Sequence, residues 1–302
     1  MTYLPHDKRH LPFGNSAAIQ DPNTLEVLAN TNLATLLSTD LTGEYCTAYR
    51  NWIESSKNNT IMGLAHFPYA CYSNGTTESF DKFYIKNRTR RFRCFRGEYM
   101  YHQLMWRNSW PDWTWLDDEC LSENDAVVIS LPFSDTGNEH QLHKALLEGC
   151  DKLGIPVLVD CAYFGICSDI TFDFTHPCIT DIVFSLSKSF PVAHARVGIR
   201  FTRTDDDDSL FVCNKAGYIN RIGCAVGLML IKNFSPNYIV EKYKKQQIDF
   251  CNELEAEVSN TILFGIDNGK YPEYNRGRKT NRLSFHKFYH LDKSEFLNEI
   301  HR

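Results

Sequence analysis

The sequence predicts an α/β protein with a mainly parallel central sheet flanked by helices and a smaller α+β unit at its C-terminal end. Three observations lead there. Short β-branched runs alternate with a helical pattern through the middle of the chain, the rhythm of β-α-β units. Those runs are apolar at nearly every position, as strands buried on both faces require. After about residue 218 the pattern turns to long amphipathic helices and a short strand-like tail.

Taken in order, residues 1–45 form an N-terminal segment with charges and prolines but no apolar core of the kind a secretory signal carries. Residues 46–235 read as the large domain. In it Ser73 to Glu78 (SNGTTE) is a glycine turn opening a helix, and Ala126 to Leu131 (AVVISL) is a buried strand. Glu139 to Leu153 has helical periodicity and stops at Gly154. Pro156 to Asp160, Asp181 to Ser185 and Val197 to Phe201 are further strands. Asp205 to Asp208 reads as a solvent-exposed turn between Val197–Phe201 and a second apolar run, Leu210 to Cys213. A calcium site there lacks the spaced ligand loop that wraps the cation. Tyr218 to Asn233 and Pro236 to Ser259 are long helices, the second leading into a small domain over 236–302. That domain holds Thr261 to Ile266, a polar loop, the strand-like Arg282 to Phe288 and a last helix from about Asp292.

Composition narrows the function. The 302 residues are 43% hydrophobic and 23% charged, which excludes a disordered chain, a collagen-like repeat or a small disulfide scaffold. A net charge of −5 is not that of a nucleic-acid binder. The basic stretch Lys86 to Arg96 reads as a solvated face or loop. No apolar run approaches the ~20 residues of a membrane span. The eleven cysteines are scattered without metal-like spacing, so they read as reduced thiols, no metal site is expected, and a cytoplasmic location follows.

The chemistry lies in three segments. Ser185-Leu-Ser-Lys188 puts a lysine just past a buried strand, and Arg196 and Gly198 follow. An amine desolvated near other cations becomes a nucleophile toward an aldehyde, and a guanidinium suits phosphate oxygens. Asp160-Cys-Ala-Tyr163 stands at the carboxyl end of its strand, where open α/β sheets bind ligands. Asn74-Gly75-Thr76 can aim backbone amides at a phosphate. Singly, each has a plainer reading: a surface Lys and Arg, an Asp that ends a strand, and a helix cap.

Together, in this order, they resemble the aspartate aminotransferase family, the fold type I enzymes that use pyridoxal 5′-phosphate (PLP). The resemblance runs from about Asn74 to the C-terminus. It implies that Lys188 joins the cofactor aldehyde as a Schiff base and later moves the Cα proton. It implies that Asp160 pairs with the pyridinium nitrogen and Tyr163 with the ring oxygen. Asn74, Gly75, Thr76, Ser185, Ser187 and Arg196 would surround the phosphate. Tyr99 falls where the family stacks an aromatic on the ring, with Tyr101 and His102 competing for that place. Arg282 has the position of the arginine that binds the substrate carboxylate; its plainer reading is a surface residue of the basic loop Arg276 to Arg282. Ser134 stands where the family has an asparagine against the ring oxygen. The family's tyrosine that reaches the partner subunit's phosphate has its neighbourhood at Asp40 to Tyr45, with no single residue distinguished.

The resemblance implies an aminotransferase acting on an α-amino acid and a 2-oxo acid, working as a homodimer. Ser134 also leaves open a lyase or decarboxylase on the same residues, and the short chain leaves open a cofactor-free binding descendant. The loops at 14–45, 99–113 and 266–282 would set substrate choice.

Overall fold

The computed structural model describes residues 11–32, 38–102, 112–275 and 280–300 (backbone only at Ile300). Residues 33–37, 103–111 and 276–279, parts of the three loops expected to set specificity, lie outside the described residues.

The apolar runs assemble a seven-stranded sheet. Its strands are β1 (Tyr69–Asn74), β2 (Arg91–Cys94), β3 (Trp113–Trp115), β4 (Asp125–Ser130), β5 (Val157–Asp160), β6 (Ile179–Ser185) and β7 (Val197–Thr202). Their order is β1-β7-β6-β5-β4-β2-β3. The strands from β6 to β3 run parallel, while β7 is antiparallel to both β6 and β1. β1 therefore points the same way as the parallel set. The carboxyl ends of β1, β4, β5 and β6 share one edge with the start of β7. There Ser130 lies opposite Asp160, Asp160 opposite Val183, Ser185 opposite Gly198 and Asn74 opposite Val197.

The helices are α1 (Pro22–Ala29), α2 (Thr42–Glu54), α3 (Gly75–Lys86), α4 (His143–Leu153), α5 (Ser209–Lys215), α6 (Arg221–Asn233), α7 (Tyr238–Leu254) and α8 (Lys293–Ile300). They cover both faces of the sheet. Ala126, Val128, Leu158 and Val183 pack with Phe80, Phe83 and Tyr84 of α3. Their neighbours in sequence, Val127, Ile129, Val157 and Ile182, join the cluster that holds Leu146, Leu147 and Cys150 of α4. Successive strand residues point to opposite faces, so a strand covered on both sides is apolar throughout. Each such side chain contributes about 1.5–3 kcal/mol on burial. The free edge of β1 is closed by one side chain: Asn214 of α5 accepts from Tyr72 N at 2.8 Å and donates to Tyr72 O at 2.9 Å.

A second sheet, antiparallel, contains β8 (Glu257–Val258), β9 (Phe264–Asp267) and β10 (Asn281–Ser284) in that order. Phe250 of α7 and Phe296 of α8 meet Phe285 and Phe288 beside it, and Phe13 from the N-terminal segment joins the same aromatic cluster.

Several expectations are corrected. The basic stretch is not a solvated face throughout: Arg93 in β2 has no exposed surface. Its guanidinium pairs with Asp125 at 2.6 Å and donates to the carbonyls of Thr114, Trp115, Glu119 and Cys120, which satisfies the buried charge. Leu210 to Cys213 is helical, because Asp208 caps α5 by accepting from Leu210 N and Phe211 N. Asp206 and Asp208 also pair with the buried Arg200, so the acidic turn is a strut rather than an exposed cap. α4 starts four residues later than Glu139, at His143. α7 stops at Leu254, since Glu255 takes the left-handed conformation (φ 57°) that ordinarily advertises itself as glycine. β10 ends at Ser284, before Phe288.

Among the described residues no helix is long and apolar enough to cross a membrane, and no cluster of His, Cys, Asp or Glu is placed to hold a metal ion. All eleven cysteines are free thiols, with Cys161, Cys167 and Cys224 buried.

Candidate active site

The carboxyl edge of the large sheet gathers the residues singled out by sequence. At one end the chain leaves β1 through Asn74 and turns into α3 at Gly75 (φ 72°). Glu78 folds back over that turn, accepting from Asn74 N at 2.7 Å and Asn74 Nδ2 at 3.0 Å. The Arg196 guanidinium lies against Gly75, with Nη2 donating to Asn74 O and Thr77 Oγ1, each at 3.1 Å. Glycine gives this close approach: a Cβ on Gly75 would stand 2.3 Å from Nη2, so the guanidinium would have to move, and the φ of 72° favours glycine. Gly198 is needed for the same close approach, because its Cβ would meet the Gly75 backbone at 2.8 Å. Arg196 is itself left-handed (φ 58°), and its carbonyl accepts from Tyr72 OH at 2.8 Å. Across the β6–β7 pair, Ser185 Oγ donates to Val197 O at 3.0 Å and pairs with Ser187 Oγ at 2.9 Å. Thr76 is buried beside this turn. Hydroxyls, a guanidinium and a glycine-lined helix start thus converge at one place.

Asp160, at the end of β5, is buried, and its Oδ1 accepts from Ala162 N at 3.0 Å. Burial pushes its carboxyl up to about 7 against the pull of the Ala162 amide and the Lys188 charge. Lys188 Nζ donates to Ser16 O at 2.7 Å and to Ser16 Oγ at 3.3 Å, so the N-terminal segment crosses over this lysine. Tyr99 is 40% exposed, unusual for a large aromatic, and its hydroxyl is held up by burial and by the charge of Asp160. Arg196 and Tyr163 act on it too, which sets it in the same field as the other site residues. Its competitors turn away. Tyr101 donates to Asp81 Oδ1 at 2.7 Å, and His102 is buried against Tyr84 OH.

The far wall comes from the second sheet. Arg282 of β10 donates from Nη1 to Ser134 O at 2.6 Å and to Tyr163 OH at 3.5 Å. Its guanidinium stacks over Phe264 at 4.3 Å. It is not a surface residue of the basic loop. Ser134 is buried after β4 and presents its backbone carbonyl to this arginine. Of the Asp40 to Tyr45 neighbourhood, Tyr45 points inward, fully buried, with its hydroxyl donating to Gly198 O at 2.9 Å.

Sequence reading passed over three residues here. Ser16 lies beside Asn15, whose positive φ (63°) marks a sharp bend in an otherwise unpatterned stretch. His286 shares the field of Lys188 and Arg282, and burial, with the charges of Lys287, Lys188 and Arg282, lowers it to about 4. Glu98, next to Tyr99, is buried with its carboxyl group on Ser130; a Glu between Gly97 and Tyr99 carries no periodic signal.

Comparison by sequence brings no match, either to a protein-family model or to a curated protein. Comparison of structures does. The chain is similar to an L-threonine-O-3-phosphate decarboxylase from Porphyromonas gingivalis (TM-score 0.64, 11% identity), over 95% of this chain and 99% of that one. It is similar to a histidinol-phosphate aminotransferase from Clostridium acetobutylicum (TM-score 0.62, 14% identity), over 96% of each. It is also similar to a PLP-bound C-S lyase from Staphylococcus hominis (TM-score 0.63, 10% identity), over 89% of this chain and 83% of that one. With a mostly parallel sheet between helices, a small antiparallel sheet beside it and overlap along nearly the whole chain, this protein has the fold of the PLP-dependent enzymes of fold type I.

Proposed function

We propose that the chain is a PLP-dependent aminotransferase that moves an amino group between an α-amino acid and a 2-oxo acid through Lys188. One observation carries this reading. A single sheet edge presents an anion cradle (Gly75, Arg196, Ser185), an amine (Lys188) and a buried acid (Asp160). PLP has the matching polarity: a phosphate at one end, a basic ring nitrogen at the other and an aldehyde between them. Gly75, with its positive φ, and Gly198, whose Cβ would strike the Gly75 backbone, fit a backbone cradle for a phosphate.

When bound, PLP supplies an electron sink for the carbanion at the substrate Cα. The chain's own residues do the rest. Asn74, Gly75, Thr76, Ser185, Ser187 and Arg196 would hold the phosphate by charge-assisted hydrogen bonds. Asp160 would hold the proton of the ring nitrogen, Tyr163 and Ser134 would serve the ring oxygen, and Tyr99 would supply an aromatic surface for the ring. Lys188 takes the Cα proton and returns it. Arg282 would bind the substrate carboxylate; its Nη1 is held in place by Ser134 O and Tyr163 OH.

In this reading residues 46–235 carry the cofactor, 236–302 supply Arg282, and 1–45 supply the strap with Ser16. The working unit is a homodimer, and the free thiols suit a reducing, cytoplasmic compartment.

Borohydride treatment of PLP-loaded protein followed by peptide mass spectrometry tests the first step: a reduced adduct is expected on Lys188 and is lost in Lys188→Ala. An adduct elsewhere, or none, removes the reading. Single amino acids are then offered with 2-oxo acids. A new amino acid is the expected product; ammonia with an oxo acid, or carbon dioxide, reassigns the same site to a lyase or decarboxylase.

A further inference from the structure

A second buried carboxyl stands beside Asp160. Glu98 is 1% exposed, and its Oε1 accepts from Ser130 N at 2.8 Å while Oε2 pairs closely with the Ser130 hydroxyl. Ser130 ends β4 directly opposite Asp160, and the next amide, Leu131 N, donates to Asp160 O at 2.9 Å. Glu98 is also the residue before Tyr99. One side chain therefore ties the turn after β2 to the paired ends of β4 and β5.

Two carboxylates in a shared dry site cannot both ionise cheaply. The groups facing Glu98 are Asp160 from β5 and Cys94 from β2. Those facing Asp160 are Lys188, Tyr99, Cys161 and Tyr84. The nearby cation, Lys188, thus acts on Asp160, whereas Glu98 has hydrogen bonds from Ser130 and Tyr99.

We propose that Glu98 is a proton-holding positioning residue: a neutral carboxylic acid that latches Ser130, joins the Tyr99 turn to the ends of β4 and β5, and leaves one negative charge at Asp160. Oε1 accepts the Ser130 N–H and Oε2 pairs with the Ser130 hydroxyl, so both oxygens are engaged. Burial acts in the same direction: it raises both carboxyls, the charge of Asp160 raises Glu98 further, and Lys188 draws Asp160 down. Lys188 thus favours ionisation at Asp160 over Glu98. One charge then meets one ring-nitrogen proton, and no second buried anion is left to be paired.

This deepens the proposed function, because it rests on Asp160 as the partner of the ring nitrogen. The test is accordingly made first on ligand-free, full-length protein. The ¹³C-labelled side-chain carboxyls are titrated by NMR from about pH 5 to 9, in wild type, Asp160→Asn and Glu98→Gln. Asp160 is expected to ionise below Glu98. Glu98→Gln leaves the Asp160 step within about 0.5 unit, because its partner is already neutral there. Asp160→Asn lowers the Glu98 step by about one unit, because the repelling charge is gone. Glu98 ionising first in wild type, or an Asp160 step that falls by about a unit in Glu98→Gln, overturns the proposal. The wild-type order of ionisation decides it even where a variant fails to fold.

PLP affinity gives the second readout. Glu98→Gln, which keeps a donor and an acceptor for Ser130, holds it within about threefold, and Glu98→Leu loses about tenfold with the fold retained by circular dichroism. Equal losses in the two would remove the latch. A wild type that fails to bind PLP would remove the proposed function while leaving the carboxyl titration to stand on its own.

Discussion

Asp160 illustrates how a functional group costs stability. A carboxyl in water ionises at 3.8, and burial moves this one up to about 7. Below pH ~4 it is protonated in folded and unfolded chains alike, and nothing is lost. As pH rises from there the unfolded chain releases the proton and the folded one does not, so stability falls until the folded group ionises near pH 7. Beyond that pH the loss is constant, on the order of 4 kcal/mol. Asp160→Asn removes the penalty and keeps the shape. Ligand-free Asp160→Asn is therefore expected to melt several degrees above wild type at pH 8 and level with it at pH 4. Thermal melts at the two pH values check this; equal melting points at pH 8 would mean that Asp160 is ionised without cost.

At the scale of elements, the turn from β1 into α3 is where backbone and ligand chemistry meet. Gly75→Ala places a methyl group against Arg196 and forces an L-residue to φ 72°. A cost of about 1–3 kcal/mol is expected in stability. If the turn is a phosphate cradle, affinity for PLP falls far more than affinity for pyridoxal, which lacks the phosphate; competitive binding of the two measures the difference. A second element-scale prediction concerns β2. Arg93→Met leaves Asp125 to Arg91 and takes the donor from the carbonyls of Thr114, Trp115, Glu119 and Cys120, which should cost about 3–5 kcal/mol; adding Asp125→Leu should not recover it, because those carbonyls stay unpaired, as urea unfolding would record.

These two cases also mark what a linear sequence displays. The strands β4 to β7 are legible because burial on both faces writes an unbroken apolar run, and Lys188 and Asp160 because each follows such a run at its carboxyl end. Arg93 was not legible: a guanidinium buried by one aspartate and four carbonyls of β3 and the turn after it looks, in sequence, like any member of a basic stretch. Glu98 and Ser16 are hidden for the same reason, since their partners stand 32 and 172 residues away. The early end of α7 left no signal because Glu255 occupies a position where glycine usually announces the stop.

The whole molecule brings three parts of the chain to one site, and residues 259–262 join the two sheets. Residues 259–262 dock on the loop after β4: Ser259 Oγ donates to Thr136 O at 2.7 Å, Thr261 Oγ1 to Gly137 O at 2.8 Å, and Asn260 N to Asn138 Oδ1 at 2.7 Å. Gly137 is left-handed (φ 71°), and a Cβ there would lie within 2.8 Å of Ser259, Thr261 and Phe264. The second sheet that carries Arg282 thus rests on a glycine two residues from Asp135 and three from Ser134, whose carbonyl the arginine holds. Phe13 packs into the second sheet's aromatic cluster and accepts from Ser284 N at 3.0 Å, three residues before Ser16 meets Lys188, so the strap is anchored to the strand that carries Arg282. Gly137→Ala should therefore shift Arg282 without touching the phosphate cradle or Asp160. Arg282→Ala is expected to raise KM for an amino-acid substrate about a hundredfold, corresponding to roughly 2–3 kcal/mol of a guanidinium–carboxylate pair. Arg282→Lys should not restore it, because an ammonium lacks the two-pronged geometry. Gly137→Ala should raise KM in the same direction by about tenfold, with PLP affinity unchanged. Steady-state kinetics beside PLP titration separates the outcomes: a Gly137→Ala variant that loses PLP and keeps KM would place the joint in the service of the cofactor, not of the substrate.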